Sequence, residues 1–403
     1  MRILLVTARY PWPPRRGDQL RAVQALEALA GEHRMTLFAP APPREAPPPP
    51  ATVGGAPFAT DLYPAPRRSV LAGAGAAAAG GLPLSSALFW QPGLSARLAR
   101  DAAAADLVIL QLVRLVPHLA DLGEAPLLAD LIDSLSLNAA ARARHDRRWL
   151  APLVTFEAGR LARAEERLIA RARRALVVCE RDRRSLAERL PPEAAAKLAV
   201  HPVAMAPPDR PPAAENPPDE PTVALTGNLG YFVNVDAVCW WLREVWPLLA
   251  RRRPELRLVV AGARPARRVR RAVARAGGRL LVAPPDLGAV LAGATVAVAP
   301  LRSGSGVPLK VLEAWAAGVP VVASPLAAAG TTAVAGRELA VAETPAEWAA
   351  TVERLLDDPA ERRRLAAAGR ARLAADHDPA AVAAGWRRHA AAAAGADESA
   401  AKP

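Results

Sequence analysis

The sequence predicts an α/β protein made of two doubly wound, Rossmann-like parallel-sheet domains in tandem. Three observations carry this expectation. In the first half, short runs rich in Leu and β-branched residues alternate with longer Ala, Arg and Glu stretches of helical character. A segment dense in proline and acid, Ala206–Pro221, then interrupts the chain near its midpoint. The alternation begins again directly after it, at Thr222. Strands separated by helices pair in parallel and are covered on both faces. The expected division is residues 1–205, a linker at 206–221, residues 222–375, and a terminal stretch at 376–403 whose helix returns to the first domain.

The elements follow in order. Arg2–Thr7 reads RILLVT, a strand buried on both faces. A loop rich in Pro and Arg leads to Gly17, and Asp18 is the expected N-cap of the next helix. Further strands are expected at Met35–Ala39, Asp106–Leu112, Leu127–Ile132, Ala175–Cys179 and Leu198–Val203, with a long helix around Phe156–Arg173. Ala41–Pro50 holds too many prolines for a helix or a central strand. Ala206–Pro221 reads as a semi-rigid polyproline II linker. After it come strands at Thr222–Gly227, Leu256–Gly262, Leu280–Ala283, Thr295–Leu301 and Pro320–Ser324, with a helix over Val235–Arg251. Ligands of such sheets bind beyond the carboxyl ends of the strands, so a cleft between the two domains is the expected active site.

Composition narrows the class. Of 403 residues 52% are apolar, enough for substantial cores, and 52 basic residues exceed 39 acidic ones for a net charge of +13. Almost all of that positive charge is arginine; only Lys197, Lys310 and Lys402 are lysines. Cys179 and Cys239 are too few for a disulfide framework or a thiolate metal site. The start, MRILLVTARYPWPP, lacks a signal-peptide cleavage pattern, and Ser69–Ala96 is broken by Gly and Pro, so it reads as a surface segment and not a span. A soluble, cytoplasmic protein is expected. No nucleic-acid recognition motif or aromatic platform accompanies the charge, so nucleic acid is not an expected partner.

The stretch Ala299–Ser324, APLRSGSGVPLKVLEAWAAGVPVVAS, carries chemistry. A strand ends at Leu301, Gly304 and Gly306 flank Ser305, and a helix opens near Pro308. Such a loop leaves backbone N–H groups free to meet an anion at a helix N-terminus. Lys310 in the first turn is a cation that can neutralise a phosphate. Glu313, three residues on, is a carboxylate that can accept two hydroxyl hydrogen bonds, as a ribose diol would offer. In a chain that uses Arg almost everywhere, Lys at this position argues for a required point charge. The alternative is a surface Lys–Glu pair on an ordinary strand–turn–helix.

These residues resemble the donor-binding motif of GT-B glycosyltransferases of the group-1, family-4 type. Glu313-Ala314-Trp315-Ala316-Ala317-Gly318-Val319-Pro320-Val321-Val322 matches its second half. The first Glu of the usual pair would fall eight residues earlier, where Ser305 stands. The spacing of Gly304, Gly306, Lys310 and Glu313 is closer to the exopolysaccharide-associated sugar transferase branch. Leu225–Leu249 is similar to that branch's first donor-domain strand, Gly-rich turn and helix start. There Gly227 and Gly230 let the backbone approach the donor phosphates, Asn234 and Asp236 are helix-cap candidates, and Arg302 is a weaker phosphate ligand than Lys310. Pro11–Ala30 resembles the branch's first loop and helix, with Gly17 facing the cleft and Asp18 and Arg21 opening the helix; Arg21 reads equally as a surface charge.

The resemblance implies transfer of a sugar from a nucleotide-diphosphate sugar to a hydroxyl of a glycan or lipid-linked acceptor, with retention, at the cytoplasmic membrane face. Two sheets that present their strand ends to one cleft are also expected to close on donor binding, bringing the Gly17 loop over the diphosphate. Gln111, at the end of a central strand, and Asp133, after the next, are acceptor-side candidates; Asp133 also reads as an N-cap. His118 lies six residues beyond the strand position where such enzymes carry a histidine. His33, His145, His201, His377 and His389 show no metal spacing. The one Asp-x-Asp triplet, Asp376-His377-Asp378, lies between helical stretches near the C-terminus, so neither a metal nor another cofactor is expected. The alternatives are a non-catalytic nucleotide-sugar-binding protein, favoured by Ser305, and another GT-B enzyme such as an epimerase.

Overall fold

The structure, a computed structural model, describes residues 1–64, 75, 80–89, 93–144, 150–208 and 220–395. Most of Ala206–Pro221, much of Ser69–Ala96, His145 and the tail after Gly395 lie outside the described residues. The chain forms two compact units: Met1–Ala204 joined by the chain from Ala380, and Met205–Pro379.

In the first unit the described strands are β1 (Arg2–Val6), β2 (Arg34–Pro40), a short hairpin of β3 (Thr52–Val53) and β4 (Ala56–Pro57), β5 (Ala59–Tyr63), β6 (Leu107–Gln111), β7 (Leu127–Ile132), β8 (Arg174–Val177) and β9 (Leu198–Val200). All but the hairpin form a parallel sheet in the order β5-β2-β1-β6-β7-β8-β9. The edge strand β5 was not legible in the sequence. Its ATDLY is interrupted by Thr60 and Asp61 and only Tyr63 is buried, so it lacks the continuous apolar run that marks a central strand. Helix Pro379–Ala394 contributes Val382, Trp386, Ala390 and Ala393 to the core containing Ile3, Leu5 and Leu26.

The second unit contains β10 (Thr222–Thr226), β11 (Arg257–Gly262), β12 (Arg279–Val282), β13 (Val296–Ala299), β14 (Val321–Ala323) and β15 (Ala340–Val341), parallel and in the order β12-β11-β10-β13-β14-β15. This is the doubly wound order of a dinucleotide-binding sheet. Side-chain alternation separates two cores. Val223, Leu225, Val296 and Val298 face a cluster with Trp241, Trp246 and Trp348, whereas Ala224, Ala297, Ala299 and Ala323 face Trp315. The small residues on that face make room for helix Leu309–Ala316, which carries Lys310 and Glu313. The helix expected over Val235–Arg251 instead starts at Phe232 and is two helices, Phe232–Glu244 and Trp246–Arg252, meeting at Val245. Pro247 lacks the N–H needed to continue the first ladder and is tolerated in the opening turn of the second.

Helix Pro359–Asp376 covers the same Trp315, and Gly369 is where it does so: a Cβ there would lie 2.4 Å from the Trp315 ring. Gly369→Val is therefore expected to destabilise the second unit by about 1–3 kcal/mol despite valine's better helix propensity, since the extra atoms overpack a full core. Chemical denaturation checks this, and an unchanged midpoint would show that Trp315 has room to move.

Candidate functional site

In the second unit the strand order reverses between β10 and β13, which opens a crevice at their carboxyl ends. Two glycine-bearing loops leave the sheet there. One runs from Gly227 to Tyr231 into helix Phe232–Glu244, the other from Pro300 to Pro308 into helix Leu309–Ala316. Lys310, second residue of the latter, donates from Nζ to Asn234 Oδ1 at 2.7 Å. Asn234 Nδ2 in turn donates to the Asn228 carbonyl at 3.0 Å, so one side chain ties the two loops together. Asn234 and Asp236 are thus not caps: Tyr231 is the N-cap residue, and Asn234 lies inside the first turn with its amide turned to the lysine.

Glycine is needed twice in the first loop. Gly227 has φ of 137°, and a Cβ on it would lie 3.0 Å from Asn234 Nδ2 and 3.5 Å from Lys310 Nζ. A Cβ on Gly230 would meet the Arg264 carbonyl at 2.8 Å. Gly304 and Gly306 also have positive φ, at 133° and 69°, with half-buried Ser305 between them. Beside them Ser303, not singled out in the sequence, is fully buried, and its hydroxyl has no hydrogen-bond partner among the described residues. A serine in a glycine-rich loop is too common for its burial to be read from sequence. Pro308, the N-cap of the second helix, offers no side-chain acceptor, so the opening turn meets the crevice without a cap.

Burial lowers the Lys310 ammonium from its ordinary range to about 8, opposed by the Glu313 charge. Burial raises Glu313, and Lys310 opposes that in turn. Among the described residues the two make no direct ion pair, and the Glu313 carboxylate accepts no hydrogen bond. The surface Lys–Glu pair is therefore not what the chain builds. Arg302 turns aside: its Nη1 is 3.5 Å from Asp236 Oδ2 and its guanidinium lies 5.5 Å from the Trp240 ring centroid. The arrangement can receive a polyanion against Lys310 and hydroxyl groups against Glu313.

The first unit holds the other candidates. Arg21 is fully buried: its Nε is 2.8 Å from both Asp130 carboxylate oxygens, Nη1 donates to the His201 carbonyl at 2.8 Å, and the guanidinium lies over Trp386. This overturns the surface-charge reading. Burial raises the Asp130 carboxyl, while Arg21 and Gln111, whose Nε2 is 3.5 Å from Asp130 Oδ2, oppose the rise. So Arg21 and Gln111 meet on a carboxylate that the sequence reading passed over. Its signal was an acid in the otherwise apolar LLADLI. Asp18 is apart from this group and pairs with Arg9. It does not cap its helix, which begins one residue earlier at Gly17 with Arg16 as N-cap; Gly17 therefore belongs to the helix and not to the loop. Asp133 is not a cap either, because Ser134 accepts from the Leu137 N–H. His118 is buried and bonded through Nδ1 to Asp121 at 2.9 Å.

Residues 220–358 match the family described as glycosyl transferases group 1. A 44.6 kDa uncharacterized protein in the cps region of Klebsiella pneumoniae is 28% identical over 128 residues, 30% of this chain and 33% of the relative, so the likeness spans about a third of that protein. Among solved structures, Anabaena HepE in complex with UDP and glucose is similar at a TM-score of 0.65 and 13% identity, covering 96% of this chain and 98% of that one. Sucrose-phosphate synthase from Thermosynechococcus elongatus is similar at a TM-score of 0.71 and 18% identity over 96% and 98%. At these identities the likeness is one of fold: two Rossmann-like parallel-sheet units, the GT-B architecture.

The Arg21–Asp130 pair is expected to act on stability. Arg21→Met leaves a buried carboxylate uncompensated and is expected to cost about 3–5 kcal/mol, part of which returns in Arg21→Met/Asp130→Leu. Urea denaturation of both variants is the check. A single variant as stable as the parent would return Arg21 to the functional candidates.

Proposed function

We propose that the chain is a glycosyltransferase that moves a sugar from a nucleotide-diphosphate sugar to an acceptor hydroxyl with retention, in the assembly of a polysaccharide or glycolipid. The observation that carries this reading is the half-buried Lys310 ammonium, held by Asn234 at the crevice of a sheet whose residues match group 1 glycosyl transferases. An ammonium withdrawn from water there is stabilised by an anion, and a diphosphate meets it together with the uncapped first turn of Leu309–Ala316. Glu313 accepts from the ribose hydroxyls. The UDP bound by HepE makes UDP-sugars the first donors to test. The cps-region relative supports a polysaccharide product.

In the step itself, the bond from the anomeric carbon to the diphosphate oxygen breaks and its electron pair leaves with the diphosphate. The acceptor oxygen bonds to the same face of that carbon, and its proton passes to the departing phosphate oxygen. Lys310 stabilises the charge that grows on the leaving group, without a metal ion in this reading. The acceptor is held by the first unit, and the protein works at the cytoplasmic face of a membrane. No helix among the described residues is long and apolar enough to cross a membrane.

Lys310→Ala is expected to lower kcat/KM by about two to three orders of magnitude while the protein stays folded, as loss of one stabiliser of developing charge does. Donor-product affinity should also follow the lysine's titration. The charge is present below its value of about 8 and lost above it. UDP affinity should therefore change little from neutral pH to just below that value and fall as pH rises through it, by up to about tenfold per pH unit. Lys310→Arg binds more weakly but loses the pH dependence, because guanidinium does not deprotonate. Calorimetric titration across pH tests both, and a wild-type profile flat through alkaline pH would remove Lys310 from the phosphate.

Glu313→Gln is expected to weaken nucleotide binding by about tenfold or more, since charge-assisted hydrogen bonds to a diol contribute about 1.5–3 kcal/mol and an amide keeps only part. Affinity for the 2′,3′-dideoxynucleotide should be the same in both proteins. Equal losses for the two nucleotides would mean that Glu313 shapes the loop and does not touch the ribose.

A further inference from the structure

The loop from Pro300 to Pro308 has features that work against a single shape. Its backbone takes positive φ at Gly304 and Gly306, and glycine is the residue with the most conformations open to it. Ser303 buries a hydroxyl that has no hydrogen-bond partner among the described residues, which costs free energy. A loop of this kind keeps one geometry only where its surroundings over-determine it. One segment of the second unit supplies such surroundings at both ends of the loop: the chain that leaves β14.

Ser324, directly after that strand, is buried and makes three bonds at once. Its N–H donates to the Ala299 carbonyl at 3.1 Å, extending the pairing of β13 with β14. Its hydroxyl donates to the carbonyl of Leu301, the second residue of the loop, at 2.6 Å. The same oxygen accepts from the Ala327 N–H at 3.2 Å and so opens the short helix Pro325–Ala328. Because the Ala327 N–H is itself a donor, the one hydroxyl proton is committed to the loop. The short helix then brings the chain back to the other end of the loop. There Gly330 is buried, and a Cβ on it would lie 2.6 Å from the Gly306 carbonyl oxygen and 2.9 Å from Pro308 Cδ. Its φ is not positive, so the loop's approach, and not its own backbone, calls for glycine. The loop is thus tied at its entry by Ser324 and seated at its exit on Gly330. The uncapped first turn and Lys310 follow directly.

We propose that Ser324 and Gly330 are positioning residues of the donor site. They set the loop and, through it, the free N–H groups at the start of Leu309–Ala316 and the Lys310 ammonium, in the place where the diphosphate binds. Both act through the loop and do not themselves touch the donor. Their part is preorganisation: a loop already in its bound shape loses less freedom when the ligand arrives, and its donors need not move as charge develops on the leaving group. The proposal rests on the glycosyl-transfer reading for the identity of the anion. The bracing of the loop rests on the second unit alone.

The test uses the full chain with Ser324→Ala, Ser324→Thr and Gly330→Ala. Amide hydrogen exchange of the ligand-free proteins reads the loop itself, and calorimetry reads UDP, uridine and inorganic pyrophosphate. Ser324→Ala removes the bond to Leu301, and Gly330→Ala pushes the Gly306 carbonyl and Pro308 aside. Both are expected to speed exchange over residues 304–310 and to weaken UDP and pyrophosphate by about tenfold, the effect of roughly one hydrogen bond. Uridine, which carries no phosphate, should bind as it does to the wild type. Ser324→Thr keeps the hydroxyl and is expected to restore most of the affinity. A purely structural pair would lower the melting temperature and leave the ratio of UDP to uridine affinity unchanged. That result overturns the proposal, as does a UDP affinity within threefold of wild type in both folded variants. If Gly330→Ala fails to fold, the two Ser324 variants decide. Pyrophosphate separates the two readings. A wild-type protein that binds pyrophosphate but no nucleoside diphosphate sinks the glycosyl-transfer reading, while the variants still test the loop; one that binds neither sinks both.

Discussion

The second unit is organised around the constraint of keeping one ammonium group charged where water has limited access. Lys310 loses solvation in its crevice and recovers part of it from a single neutral acceptor, Asn234 Oδ1. An amide oxygen satisfies one of three ammonium donors and leaves the charge uncompensated. A carboxylate in that position would have stabilised the free protein more and competed with any incoming anion. Glu313 is near enough to be felt electrostatically by the lysine yet makes no ion pair with it. The free site is therefore less stable than it could be, as expected where binding matters more than stability.

Around that constraint the backbone has few options. Gly227 must lack a side chain because its φ is positive and Asn234 crowds the place of a Cβ, and Gly230 because the Arg264 carbonyl does. The alanine-lined face of the sheet lets Trp315 and the helix of Lys310 sit close, and Gly369 lets the covering helix close over that tryptophan. The position of the cation thus depends on a chain of close approaches that runs through the core to the far side of the helix. Packed cores of this density transmit small changes in volume.

The first unit spends its buried charge differently. Arg21 and Asp130 pair across the core through Nε, and Glu165 accepts from Ser136 N–H and Oγ at 3.0 and 2.6 Å and from Arg189 at 2.8 Å. Burial raises Glu165 against the pull of those donors. His201 and His389, in T-shaped contact 5.1 Å apart, are both lowered by burial and by the arginines around them, to about 2 and about 4. They stay neutral through the physiological range, which keeps a cation-rich interior from gaining more charge on docking Trp386. Arg21 and His201, both packed against Trp386, anchor helix Pro379–Ala394 in the first unit's core.

The amino-acid sequence by itself determined the two alternating series, the glycine-bearing loop before Lys310 and the spacing of Lys310 from Glu313. Each of these is a relation among residues a few positions apart, fixed by helix and strand periodicity. A lysine in a chain of arginines was legible for the same reason, since residue choice needs no fold to be seen. The tertiary structure alone decided that Asn234 serves the lysine 76 positions away, that Arg21 is buried on Asp130 at a separation of 109, and that Arg9 and Arg114 share Phe89. It also moved Asp18, Asp133 and Asp236 out of the capping positions that local pattern suggested. Those outcomes depend on which strands become neighbours, and strand order follows from the burial of the whole sheet and not from any local run of residues.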